Sequence, residues 1–357
     1  MMTVPTRSDI IQQIRGEGQR LAAVLPIHYP RALLRAYGFH PMEVWGPPGL
    51  TEAHEETHFQ EYVCSLVRDA VIFLRSEAGQ QVDCILVPHT CDSLQGTGTV
   101  MQNFLRPRQP VMTLYHPRNR GSAGLEFLTH ELERLSDSLR EVSDVEPTDA
   151  TLLGLIEEEN QADEWLGRLC LHRSDFGLCD REFYSLVRAR EYLPAKDFIH
   201  LAQSVPRSEQ APRGVKLMIS GILPEPMELF EHINEFGGSV VADDLACGSR
   251  RVYAANQETD PLRNMAVQLL SAPPDPSFGC AVDVRNAYLI ERMESTGARG
   301  MLFYEVKFCE PESFYLPQTR DALTEAGYPM LHVEVELENK ISGQILTRLN
   351  TFLEVLQ

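Results

Sequence analysis

The sequence predicts an α/β fold made of two small doubly wound units of parallel sheet, a helical amino-terminal part and a helical connector. Three observations predict it. Short apolar runs rich in β-branched residues, such as "QVDCILVPHT" and "RGVKLMISG", recur between amphipathic stretches, the alternation of a parallel sheet covered by helices. Between Pro147 and Val205 the strand signal fades and a helical period takes over. A chain of 357 residues is also too long for one compact core, so two or three domains follow.

Taken in order, "DIIQQIRGEGQRLAAVL" reads as a helix, followed by the turn-rich "PIHYP". The helix "RALLRAYG" has Pro30 at its start and Gly38 at its end as punctuation, and the loop "GPPG" follows. "HFQEYVCSLVRDAVIFL" reads as a helix, "QVDCILVPHT" as a buried strand with Cys91 just past it, and "PVMTLYHP" as a second strand. "GLEFLTHELERLSDSLREV" places Leu125, Leu128, Leu132 and Leu135 on one helical face. Thr148 is the candidate N-cap of the long helix "TDATLLGLIEEENQADEWLGRLCLH". A second βα series then runs through "RGVKLMISG", "EPMELFEHINEFG", "GSVVADDLACGSRR", "CAVDVRNAYLIERMESTG", "ARGMLFYEVKFC" and "YPMLHVEVE". It closes on the helix "SGQILTRLNTFLEVLQ" with Ser342 as N-cap. The implied division is a helical segment over residues 1–70 packing on the first domain, a first α/β domain over 71–146, a helical connector over 147–210 and a second α/β domain over 211–357.

Composition narrows the functional classes. There are 32 Lys plus Arg against 51 Asp plus Glu, a formal charge of -19, and so acidic a surface repels phosphate backbones and anionic lipid heads. Nucleic acid and membrane surfaces are therefore not the expected partners. No apolar run approaches the ~20 residues of a membrane helix, and "MMTVPTRSDIIQQIRGEGQR" lacks the basic and apolar parts of a signal peptide, so a cytoplasmic location is expected. The eight cysteines are then reduced thiols, either buried small hydrophobes or ligands.

Three of them occupy equivalent places: Cys91 after "DCILVPHT", Cys247 after "SVVADDLA" and Cys309 after "MLFYEVKF". The carboxyl ends of strands in open α/β sheets converge on a crevice, so two facing units could bring these thiolates to one point. Soft thiolates select zinc, copper(I) or iron–sulfur clusters. The C-x2-C pairs of structural zinc are absent, and widely separated single cysteines suit a cluster held between domains with one iron left open. The competing reading is that these are buried, unligated cysteines. Cys84, Cys170, Cys179 and Cys280 read as packing residues, and Cys64 in "QEYVCSLVRD" as a candidate fourth ligand or a thiol behind the site.

The segments "HTCDSL", "VVADDLACGSR", "KFCEPE" and "GYPMLHVEVELENKISGQILTRLNTFLEVL" resemble the landmark segments of the 2-hydroxyacyl-CoA dehydratase D-component family, which includes 2-hydroxyglutaryl-CoA dehydratase and benzoyl-CoA reductase catalytic subunits. "LPIHYPRALLRAYGFHPMEVWG", "FLTHELERLSDSL" and "LIEEENQADEWLGRL" are similar to its upstream and connecting segments, so the resemblance covers nearly the whole chain. It implies two tandem Rossmann-like domains and a [4Fe-4S] cluster on three cysteines, which by motif are Cys91, Cys247 and Cys309. It implies an acyl-CoA substrate, a paralogous second subunit forming a heterodimer, and an ATP-hydrolysing iron–sulfur activator protein. The implied reaction removes water from a 2-hydroxyacyl-CoA through a ketyl radical started by one electron from the activator. The alternatives are a subunit of a benzoyl-CoA-type aryl-CoA reductase and a non-catalytic electron-transfer partner. The chain departs from the family at Arg31, where a Glu often follows the proline, and at Glu336, where an Asp is common; the first bears on the substrate.

Other candidates are read from position. Helix starts after Cys91 and Cys309 are expected to aim N–H groups at the sulfurs. His28, with Tyr29, is a candidate acid, base or oxygen donor, against an ordinary loop role. His89, two residues before Cys91, either reaches the pocket or is structural. Asp243 and Asp244 react or brace their loop. Arg250 and Arg251 meet CoA phosphates or offset the two aspartates. Glu334 and Glu336 share one side of a strand.

Overall fold

The computed structural model describes residues 3–44, 59–208, 213–337 and 340–357. Its first half runs α1 (Arg7–Gly16), β1 (Arg20–Val24), α2 (Arg31–Ala36), β2 (Phe39–Glu43), α3 (Ser65–Arg75), β3 (Cys84–His89), α4 (Asp92–Val100), β4 (Val111–Tyr115) and α5 (Ser122–Val142). Three helices connect the halves: α6 (Asp149–Leu171), α7 (Asp180–Ala189) and α8 (Ala195–Gln203). The second half runs β5 (Val215–Gly221), α9 (Glu228–Glu235), β6 (Gly238–Leu245), α10 (Pro261–Leu270), α11 (Val282–Thr296), β7 (Gly300–Val306), α12 (Glu310–Glu325), β8 (Met330–Val335) and α13 (Gly343–Leu356). The strands form two four-stranded parallel sheets, ordered β2-β1-β3-β4 and β6-β5-β7-β8. This is the α/β architecture of two tandem Rossmann-like units. Each sheet reverses its winding beside its first strand, which opens a crevice at the carboxyl ends.

Alternation along the strands sets the cores. On β5, Leu217 and Ile219 join a core shared with Leu21, Ala23, Ile85 and the connector, while Met218 faces the other way, onto Leu289, Met293, Met301 and Phe303. Burial of each large apolar side chain contributes ~1.5–3 kcal/mol. Helix α10 crosses to the first half, where Met265, Ala266 and Leu269 pack with Leu33, Leu128 and Leu132. The N-caps read from sequence are formed: Thr148 Oγ1 accepts from the Thr151 N–H at 3.2 Å and Ser342 Oγ from the Ile345 N–H at 3.3 Å. Among the described residues no helix is long and apolar enough to cross a membrane.

The amino-terminal reading needs correction. The expected single helix "DIIQQIRGEGQRLAAVL" ends at Gly16, Gly18 turns the chain with a φ of 73°, and "RLAAV" is the inner strand β1, buried on both faces. "FHPME" is β2, on the edge of that sheet. The segment expected to be helical over 1–70 thus supplies two of the first sheet's four strands. Pro41 and two polar positions hid β2, and its polar groups are buried because each has a partner: His40 Nε2 lies 2.7 Å from the Tyr192 carbonyl, and Glu43 meets three other side chains. The "GPPG" loop and the 210/211 boundary lie outside the described residues.

Candidate functional site

Three helices point their amino termini at one place. Cys64, Cys91 and Cys309 are the N-cap residues of α3, α4 and α12. Cys91 and Cys309 follow the third strand of their respective sheets, while Cys64 is brought in by α3. Phe308, with a left-handed φ of 65°, makes the sharp turn from β7 into α12. The thiols sense one another. Burial, then the Cys64 thiol, pushes Cys91 up to about 12. Burial, then Glu312, Cys64 and Cys91, pushes Cys309 well above the ordinary thiol value. Burial likewise raises Cys64.

Opposing this, main-chain N–H groups face each sulfur: those of Ser93 and Leu94 for Cys91, Val67 for Cys64 and Glu312 for Cys309. Helix N-termini carry about half a positive charge each and favour a thiolate. A cation among the sulfurs would complete what the dipoles begin, so this donor set fits a metal–sulfur group. Among the described residues no three His, Cys, Asp or Glu side chains are gathered for a single metal ion. Residues next to all three in the chain, Val63, Asp92 and Phe308, line a cleft of about 590 Å³ together with Phe59, Tyr62, Ser93 and Ser313.

Cys247 has a different setting. It is fully buried, its N–H donates to the Ile222 carbonyl at 3.0 Å, and its carbonyl accepts from Arg251 at 2.7 Å. After burial, the groups that act most on its thiol are Arg188, Glu191, Arg251 and Asp243. Cys91 and Cys309 are thus brought together with Cys64, whereas Cys247 sits on the buried ion pairs. Those pairs also account for the loop around it. Asp243 accepts from the Ser249 N–H at 2.8 Å and braces the turn. Asp244 pairs with Arg250 at 2.8 Å and Arg285 at 2.6 Å, Arg250 also reaches Glu312, and Arg251 meets Glu43 at 2.7 Å. Both arginines are committed inside the protein, which disposes of the CoA-phosphate alternative for them. Glu334 is exposed and Glu336 pairs with Lys307 at 3.0 Å.

The histidines do not line the cleft. His28 is buried after β1, with Nδ1 2.9 Å from the Tyr253 hydroxyl and Nε2 3.4 Å from Asp275. Burial pushes the Asp275 carboxyl up, but Arg250 and His28 outweigh it and hold it well below the usual range. His89 stacks edge-on against Tyr115 at 4.3 Å, and a Cβ on Gly98 would come within 2.7 Å of its Nε2, so glycine there lets α4 lie on the ring. Burial, then Arg134, lowers its pKa. His116, which the sequence reading passed over, is half-buried against Phe278 and beside His28; desolvation there pushes it down to about 3. The signal for Cys64 was present in the sequence: like Cys91 and Cys309, it directly precedes a helix. Cys179 does so too, at α7, but is exposed away from the cleft.

Residues 26–356 match the family described as 2-hydroxyglutaryl-CoA dehydratase, D-component, and the chain belongs to that family. Lactoyl-CoA dehydratase subunit beta of Anaerotignum propionicum is 28% identical over 354 residues, covering 95% of this chain and 92% of that one. The (R)-2-hydroxyglutaryl-CoA dehydratase subunit beta of Acidaminococcus fermentans is 25% identical over 362 residues, covering 97% and 95%. A benzoyl-CoA reductase subunit of Thauera aromatica is 25% identical over 335 residues, covering 88% and 84%. The chain is thus an enzyme subunit of the dehydratase and benzoyl-CoA reductase type.

Proposed function

We propose that the chain is the iron–sulfur catalytic subunit of a 2-hydroxyacyl-CoA dehydratase, acting beside a paralogous partner subunit and supplied with electrons by an ATP-dependent activator. The observation that carries this reading is the meeting of the Cys64, Cys91 and Cys309 thiols at three helix N-termini, beside a cleft that their chain neighbours line. Cys64 takes the place that motif likeness assigned to Cys247. These three would hold a [4Fe-4S] cluster, which when bound supplies the low-potential electron that lets a thioester expel its α-hydroxyl and acidifies its β-hydrogen. Acid–base groups alone contribute only ~10²–10⁴ in rate, too little for so weakly acidic a proton.

The chain's own residues have narrower tasks. The N–H groups of Val67, Ser93, Leu94 and Glu312 stabilise negative charge on the sulfurs. Phe59, Tyr62 and Phe308 give the cleft apolar walls. Asp92 and Glu310 at its edge repel an anion, so the acyl end rather than the CoA phosphates belongs there.

The test is an anaerobic assay of the chain reconstituted with its partner subunit and activator. Loss of water from a 2-hydroxyacyl-CoA without net consumption of reductant is the expected result. Stoichiometric consumption would instead indicate an aryl-CoA reductase. A paramagnetic resonance signal from this chain that acyl-CoA leaves unchanged would indicate a non-catalytic electron-transfer role.

A further inference from the structure

The acidic cleft edge and the committed Arg250 and Arg251 leave the phosphates of a CoA thioester to be met elsewhere. Two other arginines lie at the carboxyl edge of the first sheet, in the loop between β4 and α5. Arg118 is exposed and donates from one nitrogen to the Ser277 carbonyl at 3.3 Å. Arg120 is half-buried over Phe278, 5.2 Å from the ring centre, and donates to the carbonyls of Ala272 at 2.6 Å and Pro273 at 3.4 Å. Gly279 keeps the contact close, since a Cβ there would fall 2.6 Å from Arg118 Cδ. Main-chain carbonyls thus hold both guanidiniums against one loop of the second half.

Their charge is unbalanced. Among the described residues neither lies within ion-pair distance of a carboxylate, although the chain has 51 Asp plus Glu against 32 Lys plus Arg. Burial lowers Arg120, opposed by Cys280 and then Asp275, but Asp275 is taken by Ser277, His28 and Arg250. Arg120 Nε is buried with no partner, and α5 puts no acidic residue in its first turn. A guanidinium that meets only carbonyls keeps its charge uncompensated, and its planar fork suits a phosphate.

Position ties the pair to the cleft. Strands β3 and β4 run parallel with His89 opposite Tyr115, so Cys91 and Arg118 rise from adjacent strands just beyond that pair. Helix α12 reaches both places: Glu310 and Ser313 line the cleft, while Tyr315 donates to the Cys280 carbonyl, next to Gly279. Burial and then Cys280 raise the Tyr315 hydroxyl, and Arg285 and Arg118 oppose them, which places Arg118 near it. We propose that Arg118 and Arg120 bind the phosphate groups of the CoA thioester whose acyl end enters the cleft; this rests on the acyl-CoA reading above. The pantetheine arm separates phosphates from thioester, so one ligand meets both places. A net charge of -19 repels such an anion elsewhere on the surface, and the two arginines supply the local attraction that seats it.

Calorimetric titration of the full chain with CoA, pantetheine and inorganic pyrophosphate tests the site. CoA is expected to bind, pyrophosphate to compete with it, and pantetheine, which lacks the phosphates, to bind ~10-fold or more weakly. Arg118→Gln and Arg120→Gln each keep an amide donor for the facing carbonyl, and each should weaken CoA ~10-fold or more without moving pantetheine. Arg108→Gln, an equal charge change at the exposed opposite end of β4, should leave CoA binding unchanged. Arg118 is exposed, so its variant serves even where Arg120→Gln fails to fold. Wild-type CoA affinity in Arg118→Gln, pantetheine bound as tightly as CoA, or an equal loss in Arg108→Gln would overturn the site. If the complex with partner and activator dehydrates neither lactoyl-CoA nor 2-hydroxyglutaryl-CoA while Arg118→Gln still weakens CoA, the dehydratase reading fails and the phosphate site stands. Turnover with an unchanged KM in Arg118→Gln would remove the site and leave the reading.

Discussion

The two sheets share one strand order, yet their carboxyl edges are used differently. Cys91 and Cys309 occupy the same topological position, after the third strand of each sheet, and both cap the helix that follows. Cys247 follows the second strand of its sheet and is succeeded by Gly248 and the short 3-10 turn Ser249–Arg251 instead of an α-helix. Its backbone is tied to Ile222 and Arg251 and its thiol is fully enclosed. Under the proposed ligand set, position at a strand end does not suffice; the residue also caps a helix N-terminus, where N–H groups can stabilise sulfur charge. The second sheet also has a charged interior, built on Arg250 and Arg285, whereas Arg134 of the first half pairs with Glu131 at the surface.

That contrast in charge is the easiest to break. Arg250→Ala removes a buried partner of Asp244 and of Glu312, leaving both to Arg285 alone, and is expected to cost ~3 kcal/mol in urea unfolding, while Arg134→Ala should cost less than ~1 kcal/mol. Equal effects would erase the distinction between the halves. A titration sharpens it next. Burial lowers His116 from 6.5 to about 3, so below 6.5 the unfolded chain binds a proton that the folded chain refuses, and stability is lost as pH falls toward about 3. Between roughly pH 7 and pH 5 the loss from this residue should be about 2 kcal/mol, and His116→Phe should remove that part of the slope. The smallest effect compares helix caps: Thr148→Ala in the connector and Ser342→Ala at the terminal helix should each cost ~1 kcal/mol, read as a lowered Tm.

Most of the second half was legible because its strands are continuous apolar runs and its helices carry end signals, as at Gly237 with a φ of 83° and at Ser342. The first half was harder. The apolar run of β1 continues directly from the pattern of α1, and β2 carries His40, Pro41 and Glu43, whose burial depends on Tyr192 and on Arg31 and Arg251, remote partners that local pattern cannot reveal. Helix α10 was unread although Asp260 and Pro261 form a standard start, with the Asp260 side chain accepting from the Arg263 N–H at 2.7 Å. At the site, the strand-end argument named Cys91, Cys247 and Cys309 and left Cys64 as a candidate fourth ligand, whereas the set proposed from the helix caps is Cys64, Cys91 and Cys309. Which thiols meet depends on how α3 lies across the two sheets, a tertiary fact that chain spacing does not encode.

The ligand set is the claim on which the functional reading stands, and iron and inorganic sulfide per chain after anaerobic purification test it most directly. Wild type and Cys247→Ala should both carry ~4 irons, and Cys64→Ser fewer than ~1. Full iron in Cys64→Ser, with its loss in a folded Cys247→Ala, would contradict the account.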